Sequence, residues 1–382
     1  MQEAFASALR CPACGTDGQL RLRVDQRDRR EVREADLTCG RCGREFRVHC
    51  GVAELLFEPP PEVQAEVAGL ERFAKLMRED GWGRELTLRL PYVENGYWYA
   101  QARSLNQLLL SVPFQPGEHL LDVGAQSCWA TNKFAERGLR AIALDIATIE
   151  LQGLHTADYF LEGGKVYFER VLGSMQAIPL ASNSLDYVFC CQVLHHNDRH
   201  GLRRTLNEIY RVLRPGGKLL VVNETLRTLR DPTGMHYFDP GVHTRDVREF
   251  EGNEHAHPAW RYRLETIRAG FATEILGPHY LPFFGDDHLH LPHGTPPTKA
   301  ITAGVAYALR SNQLAGRAYL TWVNHASARA SLSMIATKPH LFPGHAGHGG
   351  LGERFARRLA AASYRRSKHA RSALHAIERQ IR

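Results

Sequence analysis

The spacing of apolar residues divides this chain into short, almost unbroken hydrophobic runs separated by longer mixed segments. The runs are His119–Val123, Arg140–Asp145, Val166–Val171, Leu185–Cys190 and Lys218–Asn223. Runs of this length and density predict strands buried on both faces. Between them, Ser127–Arg137, residues 150–161 and Leu202–Leu213 have the composition of helices. Strand alternating with helix predicts an α/β fold, a doubly wound and mostly parallel sheet covered on both faces. Ligands bind such sheets at the carboxyl ends of the strands. Asp122, Asp145, Ser174 and Gln192 would share that edge. Upstream, residues 62–80 predict a helix, and the stretch from Pro91 to Val112 is aromatic and then helical.

The first fifty residues break this pattern. They hold few large apolar side chains but carry "CPAC" (Cys11, Cys14) and "CGRC" (Cys39, Cys42), with 24 residues between the pairs. Two such pairs can set four thiolates tetrahedrally around one Zn²⁺, and a segment this poor in core would fold around the metal. Four thiolates close the coordination sphere, so the expected zinc is structural. "EPPPE" (Glu58 to Glu62) then reads as a stiff linker.

The chemistry is concentrated in "LLDVGAQSCWAT", Leu120 to Thr131. An apolar strand ends in Asp122, and Gly124 opens a turn into a helix. Gln126 and Cys128 stand where a nucleotide-binding turn expects glycine. Asp145 ends the next strand, 21 residues after Gly124, where an acid can accept hydrogen bonds from a ribose diol. A dinucleotide needs close backbone approach to its pyrophosphate, and hence the glycines. A cofactor without phosphate does not, which favours S-adenosylmethionine over NAD.

Two resemblances follow. "LTCGRCGREFRVHCGVAELLFEPP" resembles the small zinc ribbon that accompanies methyltransferases as a separate activator subunit or a fused module. "LGSMQAIPLASNSLDYVFCCQVLHH" with "LNEIYRVLRPGGKLLVVNE" resembles the class I S-adenosylmethionine-dependent methyltransferases. "EGNEHAHPAWRYRLETIRAGF" and "SLSMIATKP" look like the late helix and the last, antiparallel strand of that family. The resemblance implies a Rossmann-like, seven-stranded methyltransferase sheet. It implies that Asp122 and Gly124 hold the aminocarboxyl end of the cofactor, Asp145 the ribose and Ser174–Met175 the adenine. Gln126, Ile146 and Gln192 lie alongside. The family usually has Asp where Ser174 stands. The expected organisation is a zinc ribbon at 1–58, a linker and helices at 59–111, a methyltransferase domain at 112–340 with lid insertions at 224–257 and 277–330, and a basic helical tail at 341–382.

Charge refines this picture at one end only. From Glu353 to Arg382 nine Lys/Arg stand against two Asp/Glu, a charge of +7 that equals the total for the whole chain. The basicity belongs to the tail, which is open to a solvated helix, a peripheral membrane contact or nucleic acid. No secretory signal or membrane span is legible, so a cytoplasmic protein is expected.

The acceptor is less legible. Many of the 20 histidines lie between His236 and His348, and Asp286, Asp287, His288, His290 and His293 have metal-ligating residue types without a ligand spacing. His196, after the fourth strand, and His255, in the first lid insertion, are the candidates to deprotonate or orient an acceptor oxygen or nitrogen. Three readings stay open: methylation of a small molecule or sugar unit, methylation of RNA, and a cofactor-binding partner protein without turnover.

Overall fold

The computed structural model describes residues 1–93, 96–163, 166–232, 254–276 and 331–340, with six positions between 318 and 326. The histidine-rich loop 279–293, much of the two insertions and the tail 341–382 lie outside the described residues.

The ribbon forms β1 (Leu20–Arg27), β2 (Val32–Cys39), β3 (Glu45–His49) and β4 (Val52–Glu54), an antiparallel meander. The main sheet follows with β5 (His119–Val123), β6 (Arg140–Asp145), β7 (Glu169–Leu172), β8 (Leu185–Cys191), β9 (Leu213–Thr225), β10 (Ala272–Leu276) and β11 (Ser331–Thr337). These seven are ordered β7-β6-β5-β8-β9-β11-β10, and β11 alone runs antiparallel to its neighbours. The Rossmann-like methyltransferase sheet expected from the sequence is therefore present.

The ribbon does not sit apart from this sheet. β4 pairs in parallel with β7, Ala53 opposite Val171 and Glu54 opposite Leu172, so the eleven strands of the described residues form one sheet. The cores merge as well. Leu20, Leu37, Val48 and Leu55 of the ribbon pack in one cluster with Leu121, Val123, Ile142 and Leu144. A second tie runs from the first cysteine knuckle. Arg10 N–H donates to the Pro179 carbonyl at 3.0 Å, and Ala181 N–H to that of Ala8 at 2.8 Å.

Successive strand residues feed opposite faces. Leu121 and Ile142 face the cluster holding α6 (Arg199–Val212) and α7 (Ala259–Ala269). Leu120, Ala141 and Ala143 face the other, with residues of α3 (Gly96–Ser111), α4 (Trp129–Ala135) and α5 (Asp158–Leu161). α1 (Pro61–Glu79) and α2 (Arg84–Arg89) precede α3.

Several expected boundaries moved, three of them by enough to matter. The third strand begins at Glu169, not Val166. β9 begins at Leu213 and runs through Pro215, Gly216 and Gly217, with an irregular register against β8 between Leu185 and Tyr187. The helix expected over 150–161 is a 3-10 turn, Leu154–Ala157, and then α5. Gly153 precedes the turn in extended backbone, and a Cβ there would lie 2.6 Å from the Ala147 carbonyl oxygen.

Candidate active site

At the carboxyl end of β5 the chain turns sharply into α4. Gly124, Gln126 and Cys128 all have positive φ, at 67°, 45° and 58°. The backbone thus adopts the glycine conformation at the two positions that lack glycine. Such a conformation costs a non-glycine residue on the order of 1–3 kcal/mol and persists where surrounding contacts enforce it. Asp145 is one enforcer: its carboxylate accepts from Gln126 N–H at 2.8 Å and from Ala147 N–H at 3.0 Å. At Gly124 even a methyl group is excluded, since a Cβ would lie 2.3 Å from Val193 Cγ2. The glycine turn and the turn after β8 are therefore in direct contact.

Burial governs the two acids. It pushes the Asp145 carboxyl up to about 6, against the pull of the Gln126 and Ala147 amides. It pushes Asp122 up to about 7, against the Thr131 hydroxyl, which donates to its Oδ2 at 2.6 Å. Asp122 is only 2% exposed and braces the start of α4 from below the turn. Ile146 follows Asp145, half-buried. Ser174, two residues past β7, accepts from Gln176 N–H at 3.1 Å, and Met175 Sδ lies 3.3 Å from Asn197 Nδ2. The Gln126 side chain reaches Gln152.

Residues that the sequence did not single out close over this edge. Tyr97 of α3 donates to Gln192 Oε1 at 2.7 Å, and Gln101 donates to the same oxygen. Gln101 Oε1 accepts from Asn223 Nδ2 at 2.9 Å, and Ser104 donates to Asn223 Oδ1 at 2.7 Å. Gln192 Nε2 is a buried donor with no partner among the described residues. A buried orphan donor at the ligand-binding edge suits an acceptor oxygen of a bound molecule. Trp98 lies edge-on against Trp129, with ring centroids 5.9 Å apart, walling the turn.

After β8, Leu194–His196 forms a 3-10 turn. His195 is buried, with Nδ1 at 2.6 Å from Glu224 Oε1 and Nε2 at 3.2 Å from Glu254 Oε2. Burial opposes charge on this ring, but the two carboxylates outweigh it and hold His195 protonated. Without another cation in place, His195 is not a base. His196 Nδ1 faces Glu66 of α1 at 3.2 Å and Glu254 at 3.7 Å. His255 is exposed beside this turn, and its N–H donates to the His195 carbonyl at 2.7 Å. The two histidines singled out from the sequence are thus brought to one place. Glu224 was legible in principle, as an acid ending the apolar run "KLLVVNE". Glu66 and Glu254 were not, since only the tertiary fold delivers them.

The four ribbon cysteines also converge. Cys11 Sγ lies 3.7 Å from Cys42 Sγ, and Cys14 Sγ 3.7 Å from Cys39 Sγ, with all four sulfurs within 4.8 Å of one another. Sulfurs about 2.3 Å from a tetrahedral Zn²⁺ are about 3.8 Å apart. The donor set and its spacing fit zinc.

Comparison with known proteins gives a consistent result. Residues 121–221 match the family model described as a methyltransferase domain. The malonyl-[acyl-carrier protein] O-methyltransferase of Enterobacter lignolyticus is 26% identical over 198 residues, covering 50% of this chain and 73% of that protein. An uncharacterized methyltransferase of Mycobacterium bovis is 36% identical over 106 residues, covering 28% of this chain and 40% of that protein. Among solved structures, YcgJ of Bacillus subtilis aligns with a TM-score of 0.41 at 16% identity, covering 62% of this chain and 98% of that one. No helix among the described residues is long and apolar enough to cross a membrane. With its seven-stranded sheet, the acids near the ends of β5 and β6 and this family match, the chain carries a methyltransferase domain of the class I S-adenosylmethionine-dependent kind.

Proposed function

We propose that the protein methylates an oxygen or nitrogen of a small molecule or sugar unit held beneath α1. The observation that supports this reading is Glu66 of α1 at 3.2 Å from His196, which brings a helix up to the turn after β8. A roofed site suits an acceptor of modest size, whereas a nucleic acid needs an open, basic groove.

When bound, S-adenosylmethionine supplies an electrophilic methyl group. Asp145 takes the ribose hydroxyls, Ser174–Met175 and Ile146 flank the adenine, and the Asp122–Cys128 turn with Gln192 receives the aminocarboxyl end. Alignment of acceptor and methyl group supplies much of the rate, and α1 and α3 keep water from the reaction. One of His196 and His255 takes the acceptor's proton or orients it. Cys11, Cys14, Cys39 and Cys42 hold a structural zinc ion.

The test is to incubate cell extracts with the enzyme and isotopically labelled S-adenosylmethionine and to follow the label by mass spectrometry. Label in a small metabolite or glycan precursor is expected. Label confined to RNA would replace this acceptor class, and binding without any transfer would make the chain a partner protein. With the acceptor in hand, His196→Ala and His255→Ala should keep cofactor affinity, and at least one should lower kcat by on the order of 10²-fold.

A further inference from the structure

We propose that His195, His196 and Glu254, completed by Glu66, form a binding site for one divalent transition-metal ion, separate from the four cysteines. One nitrogen from each ring and one Glu254 oxygen lie within 4.8 Å of one another. The spacing within the group decides between ion pairs and ligands. A charge-assisted N–H···O⁻ bond runs about 2.7–2.9 Å. Ligand atoms about 2.1 Å from a common ion are about 3.0 Å apart at octahedral angles and about 3.4 Å apart at tetrahedral ones. His195 shows both kinds of contact. Its Nδ1 meets Glu224 at 2.6 Å, a tight hydrogen bond, while its Nε2 stands 3.2 Å from Glu254. His196 Nδ1 stands 3.2 Å from Glu66 and 3.7 Å from Glu254. All three are long for charge-assisted bonds; the two at 3.2 Å fall between the octahedral and tetrahedral spacings around an ion, and the 3.7 Å one is wider than either.

The supporting shell is built. A ligating histidine ordinarily gives its other nitrogen to a carboxylate that fixes the ring. Glu224 fills that position for His195. It is fully buried and is itself held by the N–H groups of Leu194 at 2.8 Å and Thr225 at 3.0 Å. The His195 and His196 rings are 4.4 Å apart and tilted by 34°. Imidazole with carboxylate suits zinc, iron, cobalt, nickel or manganese rather than the softer ions that prefer thiolate.

The position suggests what the ion would do. Val193, two residues before His195, touches the Gly124 turn. The ion therefore sits beside the cofactor edge, with coordination positions left open. An acceptor that chelates through a hydroxyl and a neighbouring oxygen would bind there, and a metal-bound hydroxyl ionises far more readily than a free one. His196 then orients the acceptor through the ion, and His255 beside it receives the proton. This role in methyl transfer rests on the proposed function, whereas the metal site itself does not.

The experiment uses the full chain carrying its cysteine-bound zinc, freed of weaker metal, and titrates it with Co²⁺ alone by calorimetry and visible absorption. No cofactor or acceptor is added. One Co²⁺ per chain is expected to bind, with weak ligand-field bands and no thiolate charge-transfer band. Glu254→Gln and His196→Ala should each weaken it at least tenfold, and Glu224→Gln by 10–100-fold. Circular dichroism and thermal unfolding of the metal-free variants separate lost ligands from lost folding. No Co²⁺ binding by the wild-type chain, or equal binding by folded Glu254→Gln and His196→Ala, overturns the site. S-adenosylmethionine affinity, measured in parallel, reports on the methyl-transfer reading independently.

Discussion

Glu31 of the ribbon and Arg170 of β7 form a salt bridge across the join between the two parts of the chain, with side chains 4% and 0% exposed. Arg170 also reaches Asp158 of α5 at 2.7 Å, and Arg33 reaches Glu31 at 2.6 Å, so the pair sits in a network. Breaking a buried pair from one side leaves a charge in low dielectric. Glu31→Gln should destabilise the whole chain by about 3 kcal/mol, because Asp158 only partly compensates Arg170. Urea unfolding of the variant measures this. Burial alone would raise the Glu31 carboxyl, but Arg170 and the Met1 ammonium, 2.7 Å away, outweigh it together and bring the group down to about 2, from 4.5. The depressed folded-state value sets the sign: the stabilisation is complete above pH 4.5 and is lost as pH falls from there towards 2.

The cysteine site should behave as part of one folding unit. About one zinc per chain is expected by metal analysis. Cys39→Ser should lower the unfolding temperature of the main sheet as well as that of the ribbon, because their cores are continuous. Calorimetry should give one shifted transition. A ribbon that melts alone, with the main transition unmoved, would contradict this.

Asp145→Ala should weaken S-adenosylmethionine binding by roughly 1.5–3 kcal/mol, the range for hydrogen bonds to a charged group. The wild-type affinity should also depend on pH. Burial pushes the Asp145 carboxyl up to about 6, and in the proposed site it would accept ribose hydrogen bonds as the anion. Affinity should therefore fall as pH drops below 6, by about tenfold per unit. In the free protein the sign is reversed for stability: a carboxyl raised from 3.8 to about 6 removes stability as pH rises through that window. Calorimetric titrations from pH 5 to 8 check both the slope and its loss in Asp145→Ala.

Gly124→Ala combines a φ of 67° with a Cβ 2.3 Å from Val193. It should cost about 1–3 kcal/mol of stability and should also lower cofactor affinity, because the turn must move away from Val193. Comparing the thermal shift with the binding constant separates the two effects. An unchanged affinity in a destabilised variant would place the cofactor away from this turn.

The main sheet was legible wherever local pattern and tertiary environment agree. His119–Val123 and Arg140–Asp145 are buried almost throughout, and the structure keeps their bounds. β7 is the instructive departure. Its Glu169 and Arg170 read as the polar end of a strand that begins at Val166, yet both are buried, since Glu31 gives Arg170 a partner 139 residues away. In the site, the acids ending β5 and β6 follow from period and position. The roof does not, because Tyr97 and Glu66 belong to helices whose sequences carry no sign of what they will cover. Gln126 and Cys128 show the opposite case. Their residue types argue against a glycine-like turn, and tertiary contacts enforce it anyway.

The pairing of β4 on β7 has a consequence for association. An open edge at β7 would be a docking place for any suitable strand, and its occupancy would vary with the partner's abundance. Here the covering strand is tethered to the strand it covers. Tethering turns a second-order encounter into a unimolecular closure at an effective concentration on the order of millimolar. Occupancy of the β7 edge is then independent of expression level, dilution and competition from free ribbon proteins. A loose copy of the ribbon added in trans should fail to exchange into the sheet, and the enzyme should survive dilution without dissociating into its halves.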